Sequence, residues 1–472
     1  MISVHAQTLR SKLITANCKE YGQQADTIRW ISTDQITSAE AQRAKLLDTV
    51  AEYLSMAAKQ TKPHIGQLSP GCQVCLEGQW SCLFINGKCN CRCFYCPTVQ
   101  NDISVPTTNR VPFATSSAYA EYIRRFGFKG LSISGGEPLL TFDRTIDYLE
   151  TARRVLGPDI HFWLYTNGTL VTRERLNALK AAGLNEIRFD ISAADYDLAK
   201  AELAAGIIDC VTVEIPAIPE DANRLGALLP NMVDAGISHL NLHQLRLTPH
   251  NHTHLAQRNY TFLHGESVTV LESELTALAL LQSACQRQLP LPINYCSFVY
   301  KRRYQQAATR RRNASDIIKG WESITESGFI RNLCLQGDPE LLCVVCQALE
   351  KQDPARQRWT IDSKRQRLQF HPDLWPLIDF SNGRLMVTYY EAVLAPHISY
   401  RFAFKEVKLA SGSKIYIEKR PVRVDLPISS DDRQFFEAHI INAVASSSPE
   451  NEAVPEEALA YELIQPGLQD YF

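Results

Sequence analysis

The stretch from Gly87 to Pro97 reads Gly-Lys-Cys-Asn-Cys-Arg-Cys-Phe-Tyr-Cys-Pro and places cysteines at 89, 91, 93 and 96. It follows the short apolar run Cys82–Ile85, so it opens a loop at the end of a strand. Outward from it, further strand-like runs recur at Gly130–Ser134, His161–Tyr165, Glu186–Ile191, Val211–Ile215 and His239–Leu245. Amphipathic stretches separate them at Ser116–Arg125, Asp143–Val155, Thr172–Ala182, Ala194–Ala204 and Ala222–Ala235. Strand–helix alternation predicts parallel strands joined by helical crossovers. The expected fold is α/β, a partial (β/α)6 TIM-like barrel, with a doubly wound sheet as the competing topology. In both, working residues belong at the C-terminal ends of the strands.

The flanks read differently. Residues 1–65 form a helical N-terminal segment, with helical apolar spacing at Ala41, Ala44, Leu47, Val50, Ala51 and Leu54. The barrel is expected over 66–300, including a helix at Ser267–Gln288 and a further strand at Leu291–Ser297. Residues 301–357 read as a helical extension carrying a second cysteine cluster. Residues 358–445 read as a small β-rich C-terminal domain, with runs at Leu368–His371, Arg384–Tyr390, Ile398–Phe404 and Ser413–Glu418. Residues 446–472 are expected to be a mobile tail, since 446–458 is rich in Ser, Pro and Glu.

The chain has 472 residues, 45% hydrophobic and 21% charged, with a net charge of −2. That balance suits a multidomain globular protein and excludes a whole-protein basic field aimed at nucleic acid. No apolar run approaches the roughly 18 residues of a membrane span. The first residues carry His5, Arg10 and Lys12 with no apolar block behind them, unlike a secretory signal. A cytoplasmic location without membrane attachment is therefore expected. Fourteen cysteines in such a chain point to metal ligation rather than disulfides.

Cys89, Cys93 and Cys96 are spaced so that one short loop can turn three thiolates inward. Iron–sulfur clusters usually take four cysteines, so three local ligands leave one iron open. Cys91 could substitute in a shifted register. A zinc knuckle is the alternative, but it wants a fourth Cys or His close by. At the end of the next strand stands Ser134-Gly135-Gly136-Glu137-Pro138. Two glycines permit close backbone approach, and a carboxylate can accept from an ammonium group. Alone this is a turn; following the cysteine loop, it belongs to the same strand-end site.

The C-x3-C-x2-C spacing, with Tyr95 before the last cysteine, resembles the radical S-adenosylmethionine (SAM) superfamily, and in particular proteins related to pyruvate formate-lyase activating enzyme. The resemblance covers about residues 80–245. It implies that Cys89, Cys93 and Cys96 ligate a 4Fe–4S cluster that chelates SAM and cleaves it to a 5′-deoxyadenosyl radical, which abstracts hydrogen from a substrate. It further implies that Tyr95 packs near the adenine and that Gly135, Gly136, Glu137 and Pro138 hold the SAM amino group. Tyr165-Thr-Asn167-Gly168 resembles the family's Thr-Asn-Gly segment. Arg188, Asp190 and Ser192, on one face of the fourth strand by alternation, are implied to meet the SAM carboxylate and ribose; a buried Arg–Asp pair is the competing reading.

Cys72 and Cys75 form one C-x2-C pair, and Cys343 and Cys346 another. If they meet, they make a four-thiolate site for a second 4Fe–4S cluster or zinc. Cys296, at the end of the last strand candidate, reads as a buried thiol, with substrate contact as the alternative. The polar run His243–His254 faces the cavity or forms an exposed loop. Arg303 and Arg310 share a helix face that could meet RNA, although a solvated face is favoured. The expected partners are SAM, an electron donor such as flavodoxin or ferredoxin, and a peptide, protein or small-molecule substrate, with peptide or protein favoured and RNA not. The non-catalytic alternative is a structural zinc or iron–sulfur protein.

Overall fold

The computed structural model describes residues 4–362, 364, 366–442 and 456–472. The chain forms two compact units. One comprises Met1–Gln305 with Leu409–Ser413 and Pro466–Phe472; the other comprises Gln306–Lys408 with Lys414–Gln465.

The sheet of the first unit opens with two short strands, β1 (Leu54–Met56) and β2 (Lys62–Ile65). Seven strands parallel to one another follow: β3 (Trp80–Lys88), β4 (Gly130–Gly135), β5 (His161–Thr166), β6 (Glu186–Phe189), β7 (Cys210–Pro216), β8 (His239–His243) and β9 (Ile293–Cys296). The spatial order is β1-β2-β9-β8-β7-β6-β5-β4-β3, continued by short strands at 107–108 and 111–112, and the sheet does not close on itself. Leu83, Ile133, Leu164, Ile187, Val213, Ile215, Leu240 and Leu242 are all buried. A parallel sheet covered by its crossover helices is apolar along most of each strand, which is why these runs stand out in the sequence.

Several boundaries differ from expectation. The expected Glu186–Ile191 strand stops at Phe189, and a 3-10 turn over Ile191–Ala194 follows, so the next helix begins only at Ala199. The His239–Leu245 strand stops at His243. The helical spacing read as far as Leu54 is not all helix, because the helix stops at Thr49. Residues 58–60 adopt left-handed φ, and Pro63 has no N–H for a helix, so the chain turns back as β2. β2 pairs antiparallel with both β1 and β9, and the N-terminal segment is therefore not wholly helical.

A short helix, α1 (Pro70–Leu76), lies against the N-terminal ends of the strands. Gly71 N donates to Glu186 Oε2 at 2.9 Å, and a Cβ at Gly71 would stand 2.5 Å from Arg188 Nη2. A side chain there would press on the buried Arg188–Glu186 pair. The last residues of the chain are packed rather than loose: Tyr471 is buried and donates to Glu274, and Gln469 donates to His264 O. This corrects the expectation of a mobile tail for 466–472, while 446–455 lie outside the described residues.

The second unit is an antiparallel sheet in the order β11-β12-β10-β13-β15-β14. Its strands are β10 (Ile330–Gln336), β11 (Trp359–Asp362), β12 (Arg367–Phe370), β13 (Arg384–Ala395), β14 (Ala403–Lys408) and β15 (Lys414–Ile428). Trp359, Leu333, Phe370, Val387 and Trp375 form its core with helix Pro339–Gln352. The expected helical extension over 301–357 thus contains the central strand β10, whose buried residues are paired on both sides.

Candidate active site

The cysteine loop leaves the C-terminal end of β3. Cys89 N donates to Gln100 O at 3.1 Å and Cys96 N to Cys93 O at 3.1 Å, which folds the run into a turn. Cys89, Cys91, Cys93 and Cys96 are all half-buried. Burial pushes the Cys93 thiol up to about 12 and the Cys91 thiol up to about 11. A cationic metal centre would reverse both shifts, because it stabilises thiolate. Three soft sulfur donors in one turn fit an iron–sulfur group. Among the described residues no three His, Cys, Asp or Glu side chains already converge as an ion site, so the loop gathers its donors without closing them on one point.

The two glycines anchor this loop. A Cβ at Gly136 would stand 1.9 Å from Lys88 O, and one at Gly135 2.2 Å from Asn86 O, so no larger residue fits. That approach lets Gly136 N donate to Asn86 O at 3.0 Å and Glu137 N to Lys88 O at 2.7 Å, immediately before Cys89. Glu137 is fully buried. Its carboxylate accepts from Leu139 N, Thr166 Oγ1 and Asn167 N at 2.8–2.9 Å, joining the ends of β4 and β5. Pro138 opens the 3-10 turn that follows. Asn167 Nδ2 donates to Asn90 Oδ1 at 2.9 Å and lies 3.6 Å from Cys89 Sγ.

Tyr95 links the loop to β6. Its hydroxyl donates to Asp190 Oδ2 at 2.9 Å and lies 2.7 Å from Ser192 Oγ, which donates to Asp190 Oδ1. Arg188 does not join them. Its Nε donates to Glu186 Oε1 at 2.8 Å and its Nη1 to Glu214 Oε2 at 2.7 Å, with all three side chains buried. Arg188 and Asp190 thus belong to separate networks, because β6 ends at Phe189 and the pleat does not carry on to Asp190. Burial acts against ionised Glu186, yet Arg188, His161 and Gly71 N hold it down at about 2. Glu214 is held still lower, chiefly by Arg188 and His243.

Of the remaining candidates, Cys72, Cys75 and Cys296 neighbour one another around Lys62. Inside the first unit, Asn241 Nδ2 donates to Cys72 Sγ at 3.3 Å and Gln305 Nε2 to Cys75 Sγ at 2.6 Å. Cys343 is exposed and Cys346 half-buried on helix Pro339–Gln352 of the second unit. His252 is buried at 3.1 Å from Thr27 Oγ1. Arg303 and Arg310 are half-buried, and Arg310 Nε donates to Ser327 O at 2.8 Å. Lys62 and Glu214 were not singled out by sequence. A glutamate inside the apolar run Val211–Ile215 was the one visible signal.

Residues 83–207 match the Radical SAM superfamily. The chain carries a radical SAM domain. It is 29% identical over 308 residues to a "putative glycyl-radical enzyme activating enzyme" of Methanocaldococcus jannaschii, covering 62% of this chain and 81% of that protein. It is 29% identical over 123 residues to the GTP 3′,8-cyclase of Listeria monocytogenes, covering 26% of this chain and 36% of the cyclase. Among solved structures, Streptococcus suis SuiB bound to its precursor peptide SuiA aligns at 11% identity and a TM-score of 0.37, covering 60% of this chain and 57% of SuiB. The chain thus spans about a third of the cyclase and just over half of SuiB. This is a radical SAM enzyme, and no helix among the described residues is long and apolar enough to cross a membrane.

Proposed function

We propose that Cys89, Cys93 and Cys96 hold the 4Fe–4S cluster of this enzyme and that its substrate is a peptide or protein. The observation that carries the ligand assignment is the weld between Gly135–Glu137 and the root of the cysteine loop, which fixes that loop over the strand ends. When bound, the cluster supplies the electron that cleaves SAM to a 5′-deoxyadenosyl radical. The chain's own residues do the positioning. Asp190 and Ser192 hold Tyr95, Asn167 steadies Asn90 and Cys89, and Glu137 locks the two strand ends together. Gly135, Gly136 and Pro138 bring backbone rather than side chain to the cofactor. A peptide or protein substrate is supported by the name of the Methanocaldococcus relative, and a flavodoxin or ferredoxin would supply electrons.

The test is anaerobic reconstitution with iron and sulfide, reduction with dithionite, addition of SAM and assay of 5′-deoxyadenosine, with Cys93→Ala alongside. Product from the wild type alone supports the reading; a wild type that holds iron yet neither binds nor cleaves SAM ends it. Stimulation by the macromolecular fraction of an extract supports a protein substrate, and stimulation by the low-molecular-weight filtrate alone excludes one.

A further inference from the structure

At the C-terminal mouth of the barrel, on the side of β2, β9 and β8, stands a group of cations that the radical-generating residues do not use. β2 pairs Ile65 with Ile293 and His64 with Asn294, so the register brings Lys62 opposite Cys296. On the other side of β9, Cys296 pairs with His243. Lys62, Cys296 and His243 therefore lie side by side across three neighbouring strands. Lys301 joins them from the turn after β9, with its Nζ 3.0 Å from His243 Nδ1.

Lys62 is 1% exposed. Its Nζ stands 4.2 Å from the centre of the Tyr300 ring and forms no ion pair with a carboxylate among the described residues. Lys301 Nζ lies 4.9 Å from the Phe298 ring centre and also has no carboxylate partner there. The carboxylate of this region, Glu214, is already engaged by Arg188 Nη1 at 2.7 Å, His243 Nε2 at 2.5 Å and Asn241 Nδ2 at 3.0 Å. A buried ammonium without an anion is costly, and a ring face offsets only part of that cost. The acidic groups left to face Lys62 are the thiols of Cys296, Cys72 and Cys75, and of these Cys296 faces Lys301 as well. Burial raises the Cys296 thiol, but Lys62, Lys301 and His243 outweigh burial and bring it down to about 6.

This layer adjoins the cysteine loop. Burial pushes the Asp190 carboxyl up, and His243 is near enough to oppose that shift, while Asp190 itself holds Tyr95. Thr248 and Asn251, a few residues beyond His243, donate to Pro97 O and Tyr95 O. A molecule seated on the lysines would have its remaining length beside the loop.

We propose that Lys62 and Lys301 receive an anionic group of the substrate, a carboxylate or a phosphate, at the mouth of the barrel beside the cysteine loop. The proposal rests on reading that loop as the radical-generating site. In the unliganded enzyme the Cys296 thiol faces both ammoniums, and the arriving anion takes that place. The ammoniums thereby fix one charged end of the substrate and orient the rest toward the loop. A peptide would offer an acidic side chain or its terminal carboxylate.

The experiment uses reconstituted, SAM-loaded protein dialysed to equilibrium against radiolabelled inorganic phosphate in one arm and succinate in the other. One anion held per chain is expected. Phosphate alone points to a phosphorylated substrate, and succinate, with or without phosphate, to a carboxylate. Lys62→Met and Lys301→Met should each weaken binding about tenfold or more, the scale of one charge-assisted contact, while Lys62→Arg retains it. Lys301 is the less buried of the two and carries the test if Lys62→Met does not fold. No binding in either arm, or undiminished binding in the lysine variants, overturns the proposal. So does an equal fall in SAM affinity, which would assign the ammoniums to SAM's own carboxylate. Formation of 5′-deoxyadenosine by the same wild-type preparation reports separately on the radical SAM reading.

Discussion

Arg188→Met keeps an unbranched apolar side chain and deletes the guanidinium that joins Glu186 to Glu214. Both carboxylates are less than a tenth exposed, so each would be left short of its strongest partner inside the barrel. Breaking a buried pair from one side costs about 3–5 kcal/mol. The carboxyls can escape by binding protons, and the cost of that escape sets a ceiling. Near pH 7.5, protonating a carboxyl with an ordinary value of 4.5 costs about 4 kcal/mol; near pH 5.5 it costs about 1.4 kcal/mol. In the wild type the folded value of Glu186 is depressed to about 2, so its stabilising contribution is complete above about pH 4.5 and is lost as pH falls toward 2. In the variant both carboxyls rise above 4.5, the fold takes up protons, and acid favours it. The destabilisation should therefore shrink from about 3–5 kcal/mol near pH 7.5 to about 1–3 kcal/mol near pH 5.5. Urea unfolding followed by circular dichroism and tryptophan fluorescence at both pH values reads this out. A deficit independent of pH, or one below about 1 kcal/mol near pH 7.5, would refute the reasoning.

Three further outcomes follow, two from the loop and its anchor and one from a helix away from them. Gly136→Ala forces a Cβ to within 1.9 Å of Lys88 O, so β3 must shift and iron retained after reconstitution should fall by at least about half. Gly226→Ala, on a helix with nothing within 4 Å, should leave iron unchanged and add about 0.5–1 kcal/mol of stability. Tyr95→Phe removes the hydroxyl shared by Asp190 and Ser192 and should cost about 1–3 kcal/mol, visible as a lower thermal midpoint; a midpoint equal to wild type would show that the bond holds nothing.

Local patterns were legible in the sequence because each is a property of contiguous residues. Cys89–Cys96, Gly135–Pro138 and the apolar strands of the barrel stand out as such runs, and helix Ser116–Arg125 has the bounds that its amphipathic spacing predicts. Partnerships across strands were not legible. Alternation placed Arg188 beside Asp190, but the arginine's partners lie two residues back and on the next strand, Glu214, a pairing set by the register of β6 against β7. β1 and β2 escaped notice for a related reason. A run of Lys-Pro-His-Ile has neither alternation nor apolar weight, and it becomes a strand because β9 offers an open edge. The same blindness concealed Lys62, since a lysine in a polar stretch reads as exposed until the sheet brings it against Tyr300.

Pro466–Phe472 belong to the barrel although the second unit is synthesised before them. Arg43 donates to Gln469 O and stacks 4.2 Å from the centre of the Tyr471 ring, while Gln469 also bonds His264 O and Thr269. On the ribosome, β10 to β15 emerge before this clasp can form, so the contacts of residues 466–472 with Arg43, His264 and Thr269 close only after the second unit has been made.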